Sequence, residues 1–428
     1  MSRSLFLGSM VYGLLLAGIA AVRGEFIMLA LPIVIYLLAG YLFSPEDIKL
    51  EVTRHIDSER TAPDSDVTVT VTIANQGSHL DEVLVEDMVP ADLKIRFAHS
   101  RHLIQLPRDG SYTFTYRVAG PRGGYGFEAV RVRVNDHLSL TNREVSLEAK
   151  GQIFVFPPVM RLRHVAIRPR RTRVYAGTIP ARLGGSGTEF FGVREYHPGD
   201  PPRAINWRAS ARHAQDDVLF SNEYQQERVA DVGIILDGRI RTNEFAHRHS
   251  LFEYSVQAAV ALGDALLTQG NRVGLLVYGD FLDWTIPGYG KVQREKLLYA
   301  LAHARPGGSE VFANFRYLPT RLFPPESQIV LVSPLDEDDV QPLVQLRARG
   351  YQVLVISPDP VKFEVSYLPK TLNVALAGRI IQMERALLVQ KIQRAGIQVL
   401  DWDVSEPFDQ VVKQRLSRPP AWVRSVGR

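Results

Sequence analysis

No cysteine occurs in the 428 residues, which removes disulfide frameworks, thiolate zinc sites, iron–sulfur clusters and thiol nucleophiles together. Long blocks of one charge are also missing. The formal net charge is only +4, without the basic stripe of a nucleic-acid binder, so no nucleic acid is expected as a partner. One stretch is locally basic, with Arg161, Arg163, Arg168, Arg170, Arg171 and Arg173 and no acidic residue among them. Such a stretch can face anionic lipid headgroups at about 1 kcal/mol per residue, or simply link two domains as a solvated segment. The linking role is the simpler reading. Catalytic signatures are lacking as well: there is no Gly-x-Ser-x-Gly elbow, no His-Glu-x-x-His and no glycine-rich phosphate loop. No cofactor is therefore expected. An enzyme reading has to rest on Asp237 with a histidine such as His247 or His249, both in a polar segment ahead of a helix. His197 and His213 lie among charged residues, where pairing is the simpler role.

What is present is enough apolar residue for several cores. At roughly 100–200 residues per domain, the length implies two or three globular units. Leu5 to Val22 is almost wholly apolar, Arg23-Gly24-Glu25 interrupts it, and Phe26 to Phe43 is apolar again. Each run is about 18 residues, at the lower limit for a hydrocarbon core of about 30 Å. The expectation is a transmembrane helical hairpin over residues 1–45, with the lipid bilayer as a partner. Arg3 before it and Lys49, Arg54 and Arg60 after it favour cytoplasmic ends, hence a multi-pass protein of the cell membrane with cytoplasmic globular domains.

From about Leu50 the period changes to two. Val67, Val69, Val71 and Ile73 alternate with threonines and end at Asn75-Gln76-Gly77, a strand with one buried face and a turn behind it. Further short strands are expected at Glu82–Met88, Leu103–Leu106, Tyr112–Val118, Phe127–Val134 and Val145–Ala149. Residues 46–155 thus read as an all-β sandwich. Residues 156–228 read as a junction, and 229–428 as an α/β domain. There, apolar runs at Val232–Leu236, Val273–Tyr278, Ile329–Val332 and Val353–Ile356 alternate with helical periods, the pattern of a doubly wound parallel sheet.

The junction holds the most distinctive residues: Arg194-Glu195-Tyr196, Gly199-Asp200, Arg203, Asn206-Trp207 and Arg212. The arginines and acids can pair in bidentate fashion. Such a network can dock the β domain onto the α/β domain, the primary reading, or offer a face to a partner. This combination, with the hairpin and two domains around it, resembles the family called domain of unknown function 58. The resemblance implies a von Willebrand factor type A-like α/β domain and a partnership with MoxR-type AAA+ ATPases in assembly or maturation of other proteins. No reaction comes with it.

A type A domain holds magnesium by an Asp-x-Ser-x-Ser loop and further hydroxyl and carboxyl oxygens. Asp237 stands at the first position, but Arg239 and Arg241 replace the two serines. Ser309 and Asp336 are the other degenerate candidates, and no specific metal is expected. Asp237, Arg239 and Arg241 instead suggest a face for an acidic group of a partner. The function expected is a membrane-anchored, non-catalytic scaffold or interaction protein. An outward-facing adhesion or ligand-binding protein is the alternative, and a membrane-bound hydrolase the third.

Overall fold

The computed structural model describes residues 3–42, 48–135, 142–162, 165, 172–212, 218–243, 245–246, 249–279, 282–308 and 315–416. The chain divides into two units, Met1–Phe156 and Pro157–Arg428.

The first unit opens with helices α1 (Arg3–Ala21) and α2 (Glu25–Leu42), paired around a tight turn at Val22. The expectation of two transmembrane helices is corrected here. Among the described residues no helix is long and apolar enough to cross a membrane. With 19 and 18 residues, the helices reach only about 28 and 27 Å at about 1.5 Å per residue, short of a core of about 30 Å. Arg3 begins the first and Glu25 the second, so the apolar part of each helix is one residue shorter still.

Among the described residues nine strands come next, in two sheets. One has the order β1 (Leu50–Ile56), β3 (Val67–Asn75), β7 (Ser111–Ala119), β5 (Lys94–Phe97). The other has β2 (Arg60–Thr61), β9 (Asn142–Val155), β8 (Gly123–Asn135), β4 (Leu80–Asp87), β6 (Arg101–Leu106). In β3 every second residue from Val67 to Ile73 is buried, and the threonines between them are half-buried. Those side chains join Phe114, Tyr116, Val83, Val85, Phe127 and Val132 in one core drawn from both sheets. A polar network runs through it. Arg54 pairs with Asp87, both side chains fully buried, and also donates to the carbonyl of Ala149. The Tyr116 hydroxyl donates to Asp87 at 2.6 Å, and the Arg54 guanidinium lies 4.9 Å from the Phe127 ring. Burial, then the neighbouring Asp87 charge, push the Tyr116 hydroxyl far above its ordinary pKa, so it stays a donor.

The second unit is built on a seven-stranded sheet. Its elements are β10 (Thr172–Glu195), α3 (Trp207–Arg212), β11 (Phe220–Asp237), the short β12 (Phe245–Ala246) and β13 (His249–Ser250), and α4 (Leu251–Thr268). They continue with β14 (Arg272–Tyr278), β15 (Leu282–Gly288), α5 (Gly290–His303), β16 (Gln328–Val332) and α6 (Val340–Ala348). The last are β17 (Gln352–Pro358), α7 (Pro360–Tyr367), α8 (Leu372–Arg394), β18 (Gln398–Trp402) and α9 (Phe408–Arg415). The strand order is β15-β14-β11-β16-β17-β18. All neighbours are parallel except the edge strand β15, and β10 pairs antiparallel with β11 through several register shifts.

Side chains of a strand alternate between faces, and β11 distributes its own accordingly. Val232, Ile234 and Leu236 join the core under α4, α5 and α9, whereas Ile235 joins the one that includes residues of α6 and α8. Burial on both faces explains the unbroken apolar runs of β11, β14, β16 and β17. At Gly233 a Cβ would come within 2.5 Å of the Phe323 ring, so the close approach of that ring requires glycine.

Candidate functional site

In open α/β sheets the crevice beyond the carboxyl ends of the parallel strands is the usual place for function. Here that edge is occupied by two buried arginines, each held among acidic side chains and backbone or hydroxyl oxygens.

The first is Arg239, two residues past the end of β11. Its Nε and Nη2 donate to the two carboxylate oxygens of Asp237 at 2.9 and 2.8 Å. Its Nη1 and Nη2 donate to Asp339 at 2.8 Å each. Asp237 also accepts from the Thr242 hydroxyl at 2.9 Å, the Ser333 hydroxyl at 2.6 Å and the Arg239 backbone N–H at 3.0 Å. Asn243 donates to the carbonyls of Asp237 and Arg239, and the Phe315 ring lies 3.9 Å from the guanidinium carbon. The exposure of Asp237, Arg239 and Asp339 is 0, 2 and 0 %. One cation therefore serves two carboxylates in a dry site. Burial pushes the Asp339 carboxyl above its ordinary range, against the pull of Arg239. Burial also opposes the Arg239 charge, but the two carboxylates more than offset it and raise its pKa. Nearby Tyr278 is pushed up to about 12, chiefly by burial.

The second is Arg385, on the inner face of α8. It donates to Asp401 at 2.7 Å, to the Pro334 carbonyl at 2.7 Å and to the Ser357 hydroxyl at 2.8 Å, with Asp359 at 3.5 Å. Asp359 meanwhile caps α7, accepting from the N–H groups of Val361 and Lys362. Arg385 thus ties together the ends of β17 and β18 and the loop after β16.

These geometries define what the sequence-expected residues do. Asp237 and Arg239 are brought together, but turned inward onto each other, so the guanidinium is not offered to solvent. The side chain of Arg241, and Ser309, lie outside the described residues. Asp336 accepts from the Glu337 N–H and opens a capping box closed by Asp339. Among the described residues no group of three or more histidine or acidic side chains is placed to hold a metal. A divalent cation of the type A kind does not fit beside Asp237, because Arg239 already takes both of its oxygens. Asp339, Thr242, Ser333 and Arg385 were not singled out from the sequence. The one local signal for Asp339 was the Asp-x-x-Asp spacing of a capping box, Asp336 to Asp339. His247, and the side chain of His249, lie outside the described residues, as do His213 and most of the basic stretch from Arg163 to Arg171.

The junction residues form a compact turn beside the β10–β11 pairing. Arg194 donates to Asp200 at 2.7 Å and lies 3.5 Å from Glu223. The other Asp200 oxygen accepts from the His197 N–H at 3.0 Å, and the Tyr196 hydroxyl donates to the Asp200 carbonyl. Gly199 closes the turn at φ +114°, a backbone that favours glycine. The hydrogen bond from Arg194 holds the Asp200 carboxyl below its ordinary value, and Asp200 in return raises the Arg194 pKa. Asn206 caps α3 by accepting from the Ala209 N–H and reaches across to Asn222 at 2.7 Å. Arg194, Tyr196, Gly199, Asp200 and Asn206 therefore shape the segment itself. Glu195, Arg203, Arg208 and Arg212 are exposed, and Trp207 is 67 % exposed.

Residues 192–386 match the profile of the family described as "Protein of unknown function DUF58". That span holds the junction turn, Arg239 with both of its aspartates, and Arg385. The chain is 26 % identical over 254 residues to the "Uncharacterized protein YeaD" of Bacillus subtilis (strain 168), a match covering 58 % of this chain and 60 % of that protein. Solved structures similar to part of the chain include the CARDB domain of the PF1109 protein from Pyrococcus furiosus. It is 14 % identical, covers 26 % of this chain and 90 % of that one, and has a TM-score of 0.19. A FixG-related protein from Vibrio parahaemolyticus is 10 % identical, covers 25 % of this chain and 95 % of that one, and scores 0.18.

Proposed function

We propose that this chain is a non-catalytic interaction protein that presents the junction turn and α3 to a protein partner. The observation that carries this reading is Trp207, 67 % exposed at the start of α3, among exposed Arg203, Arg208 and Arg212. Tryptophan and arginine are the residues most enriched at the energetic centres of interfaces, and a solvent-facing tryptophan has no stabilising role of its own. The arginines suit an acidic partner surface. The state of the sheet edge supports the same reading. A general acid, base or nucleophile must reach a substrate, whereas Asp237 and Asp339 are dry and saturated by Arg239, Thr242 and Ser333.

We take the partner to be a MoxR-type AAA+ ATPase, in line with the family resemblance, and the second unit to be a von Willebrand factor type A-like domain. In that reading the guanidinium of Arg239 holds the loop that a metal organises elsewhere. Use of ATP puts the encounter in the cytoplasm. The test is affinity capture of the intact chain, with mass spectrometry of the proteins that co-purify. A co-purifying AAA+ ATPase that is lost with Trp207→Ala and with Arg203→Ala, both folded by circular dichroism, supports the reading. Capture of no ATPase, or of one indifferent to both substitutions, overturns it.

A further inference from the structure

Helix α8 runs for 23 residues and packs by one side only. Its buried residues are Arg385, Val389 and Ile392, and Gly378 on the same side lies close to Val365. Diametrically opposite, at about 100° per residue, lie Leu372, Leu376, Ile380, Met383 and Leu387 in a sector about 80° wide. Their exposures are 75, 49, 60, 69 and 66 %. Single exposed aliphatics are ordinary, but five aligned on the outer face of one helix form a continuous strip. The steps of four, four, three and four residues make the seam by which one helix packs along another. An amphipathic helix normally turns its apolar stripe towards its own core; this one turns it away.

The flanking charges specify the occupant. Arg379 and Glu384 are exposed on opposite borders of the stripe, and among the described residues neither is in an ion pair. In two parallel helices related by a two-fold axis, a border residue on one faces the residue five positions later on the other. Arg379 and Glu384 are five apart, so a second copy supplies two symmetric Arg–Glu pairs. An antiparallel pairing of the same four seam residues would set Arg379 beside Ala386 and Glu384 beside Ala377, so neither charge would meet an opposite one. We propose that the chain forms a two-fold dimer through α8 packed parallel on α8, with Leu376, Ile380, Met383 and Leu387 in the seam. The inner face of each α8 stays on its own sheet, so the seam uses only the outer face.

The full chain is tested by sedimentation velocity and equilibrium over a wide concentration range. The expected result is a reversible dimer whose dissociation constant rises at least about tenfold in Ile380→Asp/Leu387→Asp, since each charge displaces a buried aliphatic. Arg379→Glu and Glu384→Arg each weaken the dimer about two- to threefold, and the double swap restores it, as expected of two exposed pairs. Exposure of all four positions means the variants keep their fold, which circular dichroism checks. A monomer at every concentration, or a dimer indifferent to the aspartates, overturns the proposal. Weakening by the single swaps without recovery in the double overturns the parallel register. Binding of a monomer to phosphatidylcholine vesicles, lost in the aspartate variant, gives the stripe to lipid and overturns it too.

Discussion

Replacing Arg239 with methionine keeps much of the side-chain volume and deletes the cation between Asp237 and Asp339. Four guanidinium–carboxylate hydrogen bonds disappear, and two carboxylates with no exposure are left facing each other. Removing one member of a buried charge cluster costs about 3–5 kcal/mol, because the remaining charge is stranded. For a unit of this size that corresponds to a fall in Tm of about 10 °C. The pH dependence has a definite sign. Burial already raises the Asp339 pKa in the native chain, and loss of Arg239 raises it further. A carboxyl with a raised folded-state pKa contributes stability that is full below its unfolded value and lost as pH rises through the folded value. The deficit of Arg239→Met is therefore largest at neutral pH and shrinks on acidification to about pH 5. Arg239→Lys falls between, since an ammonium has the charge without the bidentate fork. Tryptophan fluorescence in urea is a suitable assay, because Trp207, Trp284, Trp402 and Trp422 all lie beyond Phe156 and report on the second unit alone. A variant as stable as the parent at pH 7, or a deficit unchanged on acidification, would refute the reasoning.

Three further outcomes are expected. Tyr116→Phe removes the donor to buried Asp87 and should destabilise the first unit by about 2 kcal/mol, read from its calorimetric transition or amide exchange. Gly233→Ala places a methyl against the Phe323 ring and should cost about 1–3 kcal/mol, with Phe323→Leu in the same chain recovering part of it. Asp200, held below its ordinary value of 3.8 by Arg194, stabilises the junction turn at neutral pH. That contribution is lost as pH falls below 3.8 through its depressed pKa, so the His197 N–H should lose exchange protection there, and Asp200→Asn should remove the transition.

How much of this was legible depended on whether the signal was local. The alternation from Val67 to Ile73 becomes β3 because one face of that strand is buried and the other is not. The run Val232–Leu236 is apolar at every position because β11 has helices on both sides. By contrast, the long antiparallel partner β10 was not visible, since its glycines and register shifts erase any period of two. The extent of α8 was not legible either: its outer face is aliphatic from Leu372 to Leu387, so no polar face marks its first turns. The apolar hairpin over-stated its case: apolar runs of about 18 residues stand at the lower limit for a span, and among the described residues neither helix is long and apolar enough to cross. The partners of Asp237 were the hardest to read. Asp339 is 100 positions from Arg239, and only the fold brings them together.

The two buried arginines fill the sheet edge that open α/β sheets commonly leave for ligands. The carboxyl ends of β11, β16 and β17 and the residues just after them supply Asp237, Ser333 with Asp339, and Ser357 with Asp359, a concentration of oxygen atoms that attracts a cation. In this chain the cations are covalently attached. Arg239 comes from the loop after β11 itself, and Arg385 reaches in from the inner face of α8. A tethered guanidinium has no dissociation equilibrium, so the loops it joins do not depend on ion concentration for their order. The same arrangement connects α8 to the sheet edge. Arg385 on the inner face of α8 is bonded to the Pro334 carbonyl, five residues before Asp339, which grips Arg239 beside the end of β11. Arg385→Met should therefore loosen the Asp336–Asp339 turn as well as α8. Faster amide exchange at Asp339 in that variant, with the N–H groups of β14 unchanged, would establish the connection; exchange confined to α8 would show that the two arginines act separately.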